Sequence, residues 1–128
     1  HDGMGIIRAS YGEGETFAHS LVADTALTLG LEVANDAAGN TFMTLPGADR
    51  AAPAMIVGSH LDSVAQGGNF DGAAGVVAGL IVAAAMRDAG VTPARDVTVM
   101  GIRAEEGEWF GVSYIGSRSA LGSRHARH

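Results

Sequence analysis

One histidine and two aspartates lie close together in the stretch GSHLDSVAQGGNFDG, from Gly58 to Gly72, where small and polar residues dominate. His60 and Asp62 are two positions apart, so they project to the same face of an extended segment. A metal-bound imidazole commonly donates its second ring N–H to a carboxylate, which fixes the tautomer. Asp71, at the mouth of the same crevice, could bridge two cations through its two oxygens. Taken together, the three residues predict a metal site.

Each of these residues also has a purely structural interpretation. A single histidine at the end of a strand is usually a hydrogen-bonded loop residue. Asp62 on its own is a turn residue. Asp71 stands where a helix should begin, and an aspartate N-cap stabilises a helix by about 1 kcal/mol. The metal interpretation depends on the combination and not on any one side chain.

Two adjacent acids, Glu105 and Glu106, follow an apolar stretch further along the chain. Acid pairs often mark a solvated loop. Beside a metal crevice, however, one carboxylate can bind a cation while the other keeps a raised pKa and transfers protons. The spacing does not decide which glutamate does which.

The elements that must position these residues are read from the hydrophobic pattern. The first helix is predicted at about Glu15–Leu29, closed by Gly30, and its apolar residues occupy one broad side. They are Phe17, Ala18, Leu21, Val22, Leu27 and Leu29. Short extended pieces are predicted next, at 31–34 and 41–45.

A strand, a helix and a second strand complete the pattern. AMIVGS (54–59) and DVTVMGI (96–102) have the composition of buried strands, and the helix between them is predicted at about Asp71–Ala89. Such a βαβ unit is parallel, and ligands bind beyond the carboxyl ends of its strands. His60 and the two glutamates should therefore emerge at the same edge of the sheet. The predicted fold class is α/β, with a mixed, mainly parallel sheet and flanking helices.

Composition narrows the possible partners. The chain has 128 residues and a formal net charge of −6, which argues against a nucleic-acid partner. The longest apolar run, Ala73–Met86, is shorter than the roughly 20 residues that a bilayer requires, so we expect a buried helix and no membrane span. There is no cysteine, so any metal must be held by oxygen and imidazole nitrogen. We expect a cytoplasmic protein, since this composition fits a reducing compartment.

At this point the sequence resembles a known family. GSHLDSVAQGGNFDGAAGVVAGL and IRAEEGEWFGVSYIGSR are similar to motifs of the binuclear-metal amidohydrolases, a family that includes N-carbamoyl-L-amino acid hydrolases, β-ureidopropionases and allantoate amidohydrolases. The upstream DAAGNTF and GMGIIRASYGEGE also resemble the start of that family's catalytic domain. The wider clan contains aminoacylases and dizinc exopeptidases.

The resemblance implies a role for each candidate residue. His60 would bind one metal ion, Asp71 would bridge the two, and Glu106 would bind the second. Glu105 would be the general base, and Asp62 would orient His60. Two divalent cations about 3.5–4 Å apart would acidify a shared water and polarise the substrate carbonyl. Zinc is the first choice, with manganese, nickel and cobalt as alternatives.

The resemblance further implies a small ureido or amide substrate and, for the full-length enzyme, a homodimer formed through an inserted domain. That domain and two further histidine ligands lie beyond the span of this chain. We therefore expect residues 1–122 to be the N-terminal part of the catalytic domain and residues 123–128 to be an atypical basic tail. His125 and His128 in that tail are not expected to be the missing ligands. The pair Glu108–Trp109 departs from many relatives, which have serine and arginine there.

Two other functions remain open from the sequence. One is a dizinc aminoacylase or exopeptidase of the wider clan. The other is a non-catalytic domain that keeps the fold, although such a domain would gain nothing from so many clustered carboxylates.

We expect the 128-residue chain to be inactive on its own, because three protein ligands cannot complete two metal shells. Hydrolysis of N-carbamoyl amino acids, assayed with added Zn²⁺ or Mn²⁺, tests this expectation. Robust turnover by the isolated chain would contradict it.

Overall fold

A mixed sheet flanked by helices forms the centre of the computed structural model, which describes residues 5–122. The predicted basic tail, with His125 and His128, lies outside the described residues. The elements along the chain are α1 (Glu13–Thr28), β1 (Glu32–Asn35), β2 (Thr41–Leu45), β3 (Met55–His60), α2 (Ala73–Asp88), β4 (Val97–Ile102) and α3 (Ile115–Ala120). The predicted helices and strands are therefore found, and the short helix α3 is additional.

The order of the described strands is β1-β2-β4-β3. β3 and β4 are parallel, as the βαβ pattern predicts, while β1–β2 and β2–β4 are antiparallel. The α/β class with a mixed sheet is confirmed, but its parallel share is smaller than predicted within residues 5–122. The tight turn between β1 and β2, where the Asp36 carboxylate accepts the amides of Ala38 and Asn40, permits only an antiparallel pair.

The parallel pair places the two predicted site segments side by side. His60 at the end of β3 lies opposite Ile102 at the end of β4. Helix α2 packs closely over both strands because glycines face the sheet. A Cβ atom on Gly79 would lie 2.7 Å from Val99 Cγ1, and one on Gly75 would lie 2.6 Å from Ser59 Cβ. The residues that follow each strand therefore begin at the same edge.

Helix α2 contains the longest apolar run of the chain. Its buried face carries Val76, Gly79, Leu80 and Ala83. Val77, Ile81 and Val82 are exposed, so the expectation of a fully buried helix is correct for one face only. Among residues 5–122, no helix combines the length and the apolar character needed to cross a membrane.

Strand β3 is not buried, contrary to the prediction. Met55, Ile56 and Val57 are 58%, 57% and 45% exposed. The physical reason is topological: β3 lies at the edge of the described sheet, so β4 covers one side of it and no described strand covers the other. Composition alone does not distinguish an edge strand of this kind from a central one.

Helix α1 buries only part of the predicted apolar side: Val22 is buried, and Ala18 and Leu29 pack against the core. Phe17, Leu21 and Leu27 are all more than half exposed, whereas the buried residues are Glu15, His19, Val22 and Ala26. Glu15 and His19 are buried because residues distant in sequence supply their partners. Polar residues therefore share the inner face of this helix with Val22 and Ala26.

His19 is one of these buried polar residues. Its Nδ1 lies 2.8 Å from the hydroxyl of Thr41, and its Nε2 is buried with no hydrogen-bond partner among the described residues. Burial, assisted by the positive charge of Arg103, lowers the pKa of His19 to about 4. The imidazole is therefore neutral in the folded protein at pH values where the unfolded chain would be protonated.

We expect His19 to make the protein sensitive to acid. Its pKa is lower in the folded state, so the unfolded state binds more protons between pH 6.5 and 4, and the free energy of unfolding falls as the pH falls through that window. The loss should amount to about 3 kcal/mol at most. Urea unfolding of wild type and His19→Asn across this range measures it. The difference between the two proteins should change with pH, and a constant difference would contradict the expectation.

Candidate metal centre

Three predicted ligands converge at the edge where β3 and β4 end. His60, Asp71 and Glu106 each offer a ligand atom, and these atoms lie within 4.8 Å of one another. His60 Nε2 is 3.7 Å from Asp71 Oδ1 and 3.7 Å from Glu106 Oε1. Ligand atoms at about 2.1 Å from a tetrahedral cation lie about 3.4 Å from one another, so these three atoms fit around a single ion with little movement.

The donor set and its accessibility also fit a cation. One imidazole nitrogen and two carboxylate oxygens suit zinc and other divalent transition metals. The three side chains are between 20% and 28% exposed, so an ion can reach them from solvent while the protein holds them on the other side.

Asp62 lies beneath this cluster and contacts the opposite side of the imidazole. His60 Nδ1 is 2.8 Å from the backbone carbonyl of Asp62 and 3.2 Å from its Oδ1. These contacts turn Nε2 toward Asp71 and Glu106. The arrangement is that of a metal-binding histidine with a carboxylate behind it.

The same contacts shift the pKa of both partners. The hydrogen bond to Asp62 raises the pKa of His60 to about 9, against the opposing effect of burial. Burial would by itself raise the pKa of Asp62, but hydrogen bonds from His60, Ser10 and the amides of Glu106 and Glu105 hold it at about 2. In the metal-free protein His60 is therefore expected to be protonated at neutral pH, where a cation must displace that proton to bind.

The buried carboxylate of Asp62 also holds the glutamate loop. Its Oδ1 accepts the amide N–H of Glu105 at 3.2 Å, and its Oδ2 accepts that of Glu106 at 3.0 Å. The hydroxyl of Ser10 donates to the same Oδ2 at 2.6 Å. One side chain thus fixes both the histidine and the backbone that carries the two acids.

The two glutamates have different environments. Glu106 belongs to the cluster, and burial, with the nearby negative charges of Asp71 and Asp62, raises its pKa despite the opposing charge of His60. Glu105 lies outside the cluster. Its carboxylate accepts the amide N–H of Ser117 at 2.8 Å and the Ser117 hydroxyl at 3.0 Å, in the first turn of α3. The structure therefore distinguishes the neighbours by position, although their roles stay predictions.

Asp71 does not cap the helix that follows it. The N-cap of α2 is Gly72, which has a φ of 64° and makes no side-chain capping bond. The Asp71 carboxylate instead accepts the amide of Val64 at 3.2 Å and faces His60. A Cβ atom on Gly72 would lie 2.4 Å from the His60 carbonyl oxygen and 2.6 Å from its ring, so glycine is required there. The N-cap interpretation of Asp71 is wrong.

Several residues that support the centre were not identified from the sequence. The Arg8 guanidinium donates to the backbone carbonyls of Leu61 and Asp71, at 2.7 and 2.6 Å. Ser10 and Ser117 contact Asp62 and Glu105, as described above. Arg8 and Ser10 lie 52 to 63 positions from their partners, and Ser117 lies 12 from Glu105; no spacing rule links any of them. Only the resemblance of the segments around Arg8, Ser10 and Ser117 to the family offered a signal.

The pair Glu108–Trp109 connects the two loops of the centre. The Glu108 carboxylate accepts the amide of Ala65 at 2.6 Å. Trp109 Nε1 donates to the carbonyl of Ser63 at 2.8 Å. The loop after β4 is thereby tied to the loop that leads from β3 to Asp71.

We expect Asp62→Asn to lower the pKa of His60 in the metal-free protein, from about 9 toward its ordinary value of 6.5, because the hydrogen bond to Asp62 is the main cause of the shift. The substitution also replaces one carboxylate oxygen of residue 62 by an NH₂ group, which would face groups that themselves donate hydrogen bonds. NMR titration of the histidine ring protons measures the change, with His19 as an internal reference. A His60 pKa that stays near its wild-type value would contradict this account of the shift.

Comparison with known proteins places the chain in a group of hydrolases. It is 41% identical over 119 residues to N-carbamoyl-L-amino acid amidohydrolase of Geobacillus stearothermophilus, covering 93% of this chain and 29% of that protein. It is 30% identical over 118 residues to allantoate amidohydrolase of Bacillus subtilis, covering 92% of this chain and 29% of the relative. The chain thus spans less than a third of the length of these relatives.

The fold is also found in solved structures. A hydantoinase/carbamoylase family amidase from Burkholderia ambifaria matches with a TM-score of 0.90 and 34% identity, over 94% of this chain and 30% of that one. These similarities confirm the resemblance to carbamoyl and allantoate amidohydrolases. The model of peptidase family M28 matches residues 40–127, which is more than half of the sequence. The chain therefore belongs to peptidase family M28.

Proposed function

We propose that this chain is the N-terminal part of the catalytic domain of a metal-dependent hydrolase. The whole enzyme would cleave non-peptide C–N bonds of small ureido or amide substrates, such as N-carbamoyl-L-amino acids. The observation that carries the proposal is the convergence of His60, Asp71 and Glu106 at an open sheet edge. Similarity to N-carbamoyl-L-amino acid amidohydrolases supports the choice of substrate.

His60, Asp71 and Glu106 would hold the metal. Asp71 has two carboxylate oxygens, so it can serve two cations, and further ligands would come from the rest of the enzyme. Zinc is the first choice for this set of nitrogen and oxygen ligands, with manganese, nickel and cobalt as alternatives. When bound, the cations supply a more acidic water and a polarised substrate carbonyl.

The remaining residues hold the centre and move protons. Asp62 keeps Nε2 of His60 directed at the two acids. Glu105 would take a proton from the attacking water on its carboxylate and deliver it to the leaving amine. Ser117 contacts both oxygens of that carboxylate. Each oxygen has a second lone pair, so the carboxylate can accept a proton without leaving Ser117.

A dizinc aminoacylase or exopeptidase is the second candidate. The match to peptidase family M28 favours it, because the name of that family refers to peptide-bond hydrolysis. The metal residues proposed above would serve either reaction, so the substrate must separate the two. A homodimer of the full-length enzyme and a cytoplasmic location stay predictions.

We expect the full-length protein to lose activity on treatment with a chelator and to recover it with Zn²⁺ or Mn²⁺. N-carbamoyl-L-amino acids should be hydrolysed faster than N-acetyl amino acids or dipeptides in parallel assays. A preference for dipeptides would support the peptidase instead. Full activity in the chelator-treated protein would contradict the proposal of a metal centre.

Variants of the two glutamates test their division of labour. Glu106→Gln should lose bound metal together with activity. Glu105→Gln should keep its metal and lose kcat by about 10²- to 10⁴-fold, the usual contribution of a general base. Glu13→Gln, the same change at an exposed residue of α1, is the matched control and should behave as wild type. Loss of metal in Glu105→Gln would contradict the assignment.

A further inference from the structure

Glu15 is a fully buried carboxylate with no assigned role. It lies in the first turn of α1, far in sequence from every proposed metal ligand. Burying a carboxylate costs several kcal/mol unless it is well paired, so its position needs a physical reason.

The two oxygens of Glu15 have separate partners. Oε1 accepts a hydrogen bond from Arg103 Nη1 at 2.9 Å and from the amide of Tyr11 at 3.0 Å. Oε2 accepts the amide N–H of Ala104 at 2.9 Å. Pairing with Arg103 offsets the buried charge, but it does not require the second oxygen to face Ala104.

Ala104 is the residue that turns the chain into the glutamate pair. It is fully buried and has a φ of 50°, in the left-handed region. This conformation costs an alanine about 1 kcal/mol, so neighbouring contacts must hold it. Its amide donates to Glu15, and its carbonyl accepts the amide of Ile115 at 3.1 Å.

Three consecutive backbone amides are thus held by two buried carboxylates. The amide of Ala104 donates to Glu15, and those of Glu105 and Glu106 donate to Asp62. Asp62 holds the loop from the side of β3, while Glu15 holds it from α1. A shift of Ala104 would move the side chain of Glu106 relative to His60.

We propose that Glu15 is a positioning residue of the metal centre: it holds Ala104 in its left-handed conformation and so sets where Glu106 meets the cation. This inference depends on the proposed metal centre. It extends that proposal because it assigns a function in metal binding to a residue of α1 that does not touch the metal.

The test compares variants of the full-length protein. In Glu15→Gln one oxygen becomes an NH₂ group, which cannot accept a hydrogen bond. The remaining oxygen should stay with its two donors, Arg103 and Tyr11, so that the amide of Ala104 loses its acceptor. Glu15→Asp keeps the charge but withdraws the carboxylate by one methylene, which provides a second variant if the first folds poorly. Glu13→Gln is the matched control, in the same helical turn but exposed.

Zn²⁺ and Mn²⁺ affinities, measured by calorimetry on chelator-treated protein, should fall by about 10- to 100-fold in both Glu15 variants, the usual effect of losing a residue that supports a ligand. The control should bind as wild type. Adding Ala104→Gly to Glu15→Gln should recover part of the lost affinity, because glycine adopts a positive φ without steric cost. A residue that only stabilised the fold through Arg103 would not be rescued in this way.

The NMR resonance of the Ala104 amide proton reports on its hydrogen bond to Glu15 without any metal being present. In metal-free protein it should shift upfield in Glu15→Gln and stay in place in Glu13→Gln. Folded Glu15 variants with wild-type affinity would overturn the inference while leaving the metal centre intact, as would a loss of affinity that Ala104→Gly does not recover. A wild-type protein that binds no metal would overturn both.

Discussion

The site depends on one buried carboxylate, that of Asp62. Removing a carboxylate from water is costly, and the cost is recovered only when donors surround it. Here the donors come from three separate parts of the chain: Ser10 before α1, His60 at the end of β3, and the amides of Glu105 and Glu106 after β4. Because the buried carboxylate needs all of these hydrogen-bond donors, it fixes the positions of the three segments relative to one another.

The sequence was sufficient to predict those parts of the site whose positions depend on two neighbouring parallel strands. Two apolar runs separated by a helix predict a βαβ unit, and that unit alone brings the segment after His60 next to the segment after Ile102. The convergence of His60, Asp71 and Glu106 follows from this topology. The resemblance to the amidohydrolase family supplied the proposed role of each residue, and the geometry of the site does not test those roles.

The parts that depend on long-range polar partners could not be predicted. On α1 the apolar pattern favoured Phe17 and Leu21 as inner residues, but the inner face carries Glu15 and His19, whose partners are Ala104 and Thr41. Asp71 fits the sequence rule for an N-cap, and only the position of Gly72 against the His60 ring shows why it is not one. For β3, composition predicts burial, whereas strand order determines it.

The contacts that hold the centre join residues very distant in sequence: 52 positions separate Ser10 from Asp62, 63 separate Arg8 from Asp71, and 89 separate Glu15 from Ala104. We expect such contacts to form late, because closing long loops costs chain entropy before any contact compensates for it. During synthesis, the segment around Arg8 and Ser10 leaves the ribosome well before its partners do. A nascent chain would therefore have no preformed pocket in which to capture an ion, and we expect the proposed metal centre to bind its ions only after this whole region has folded.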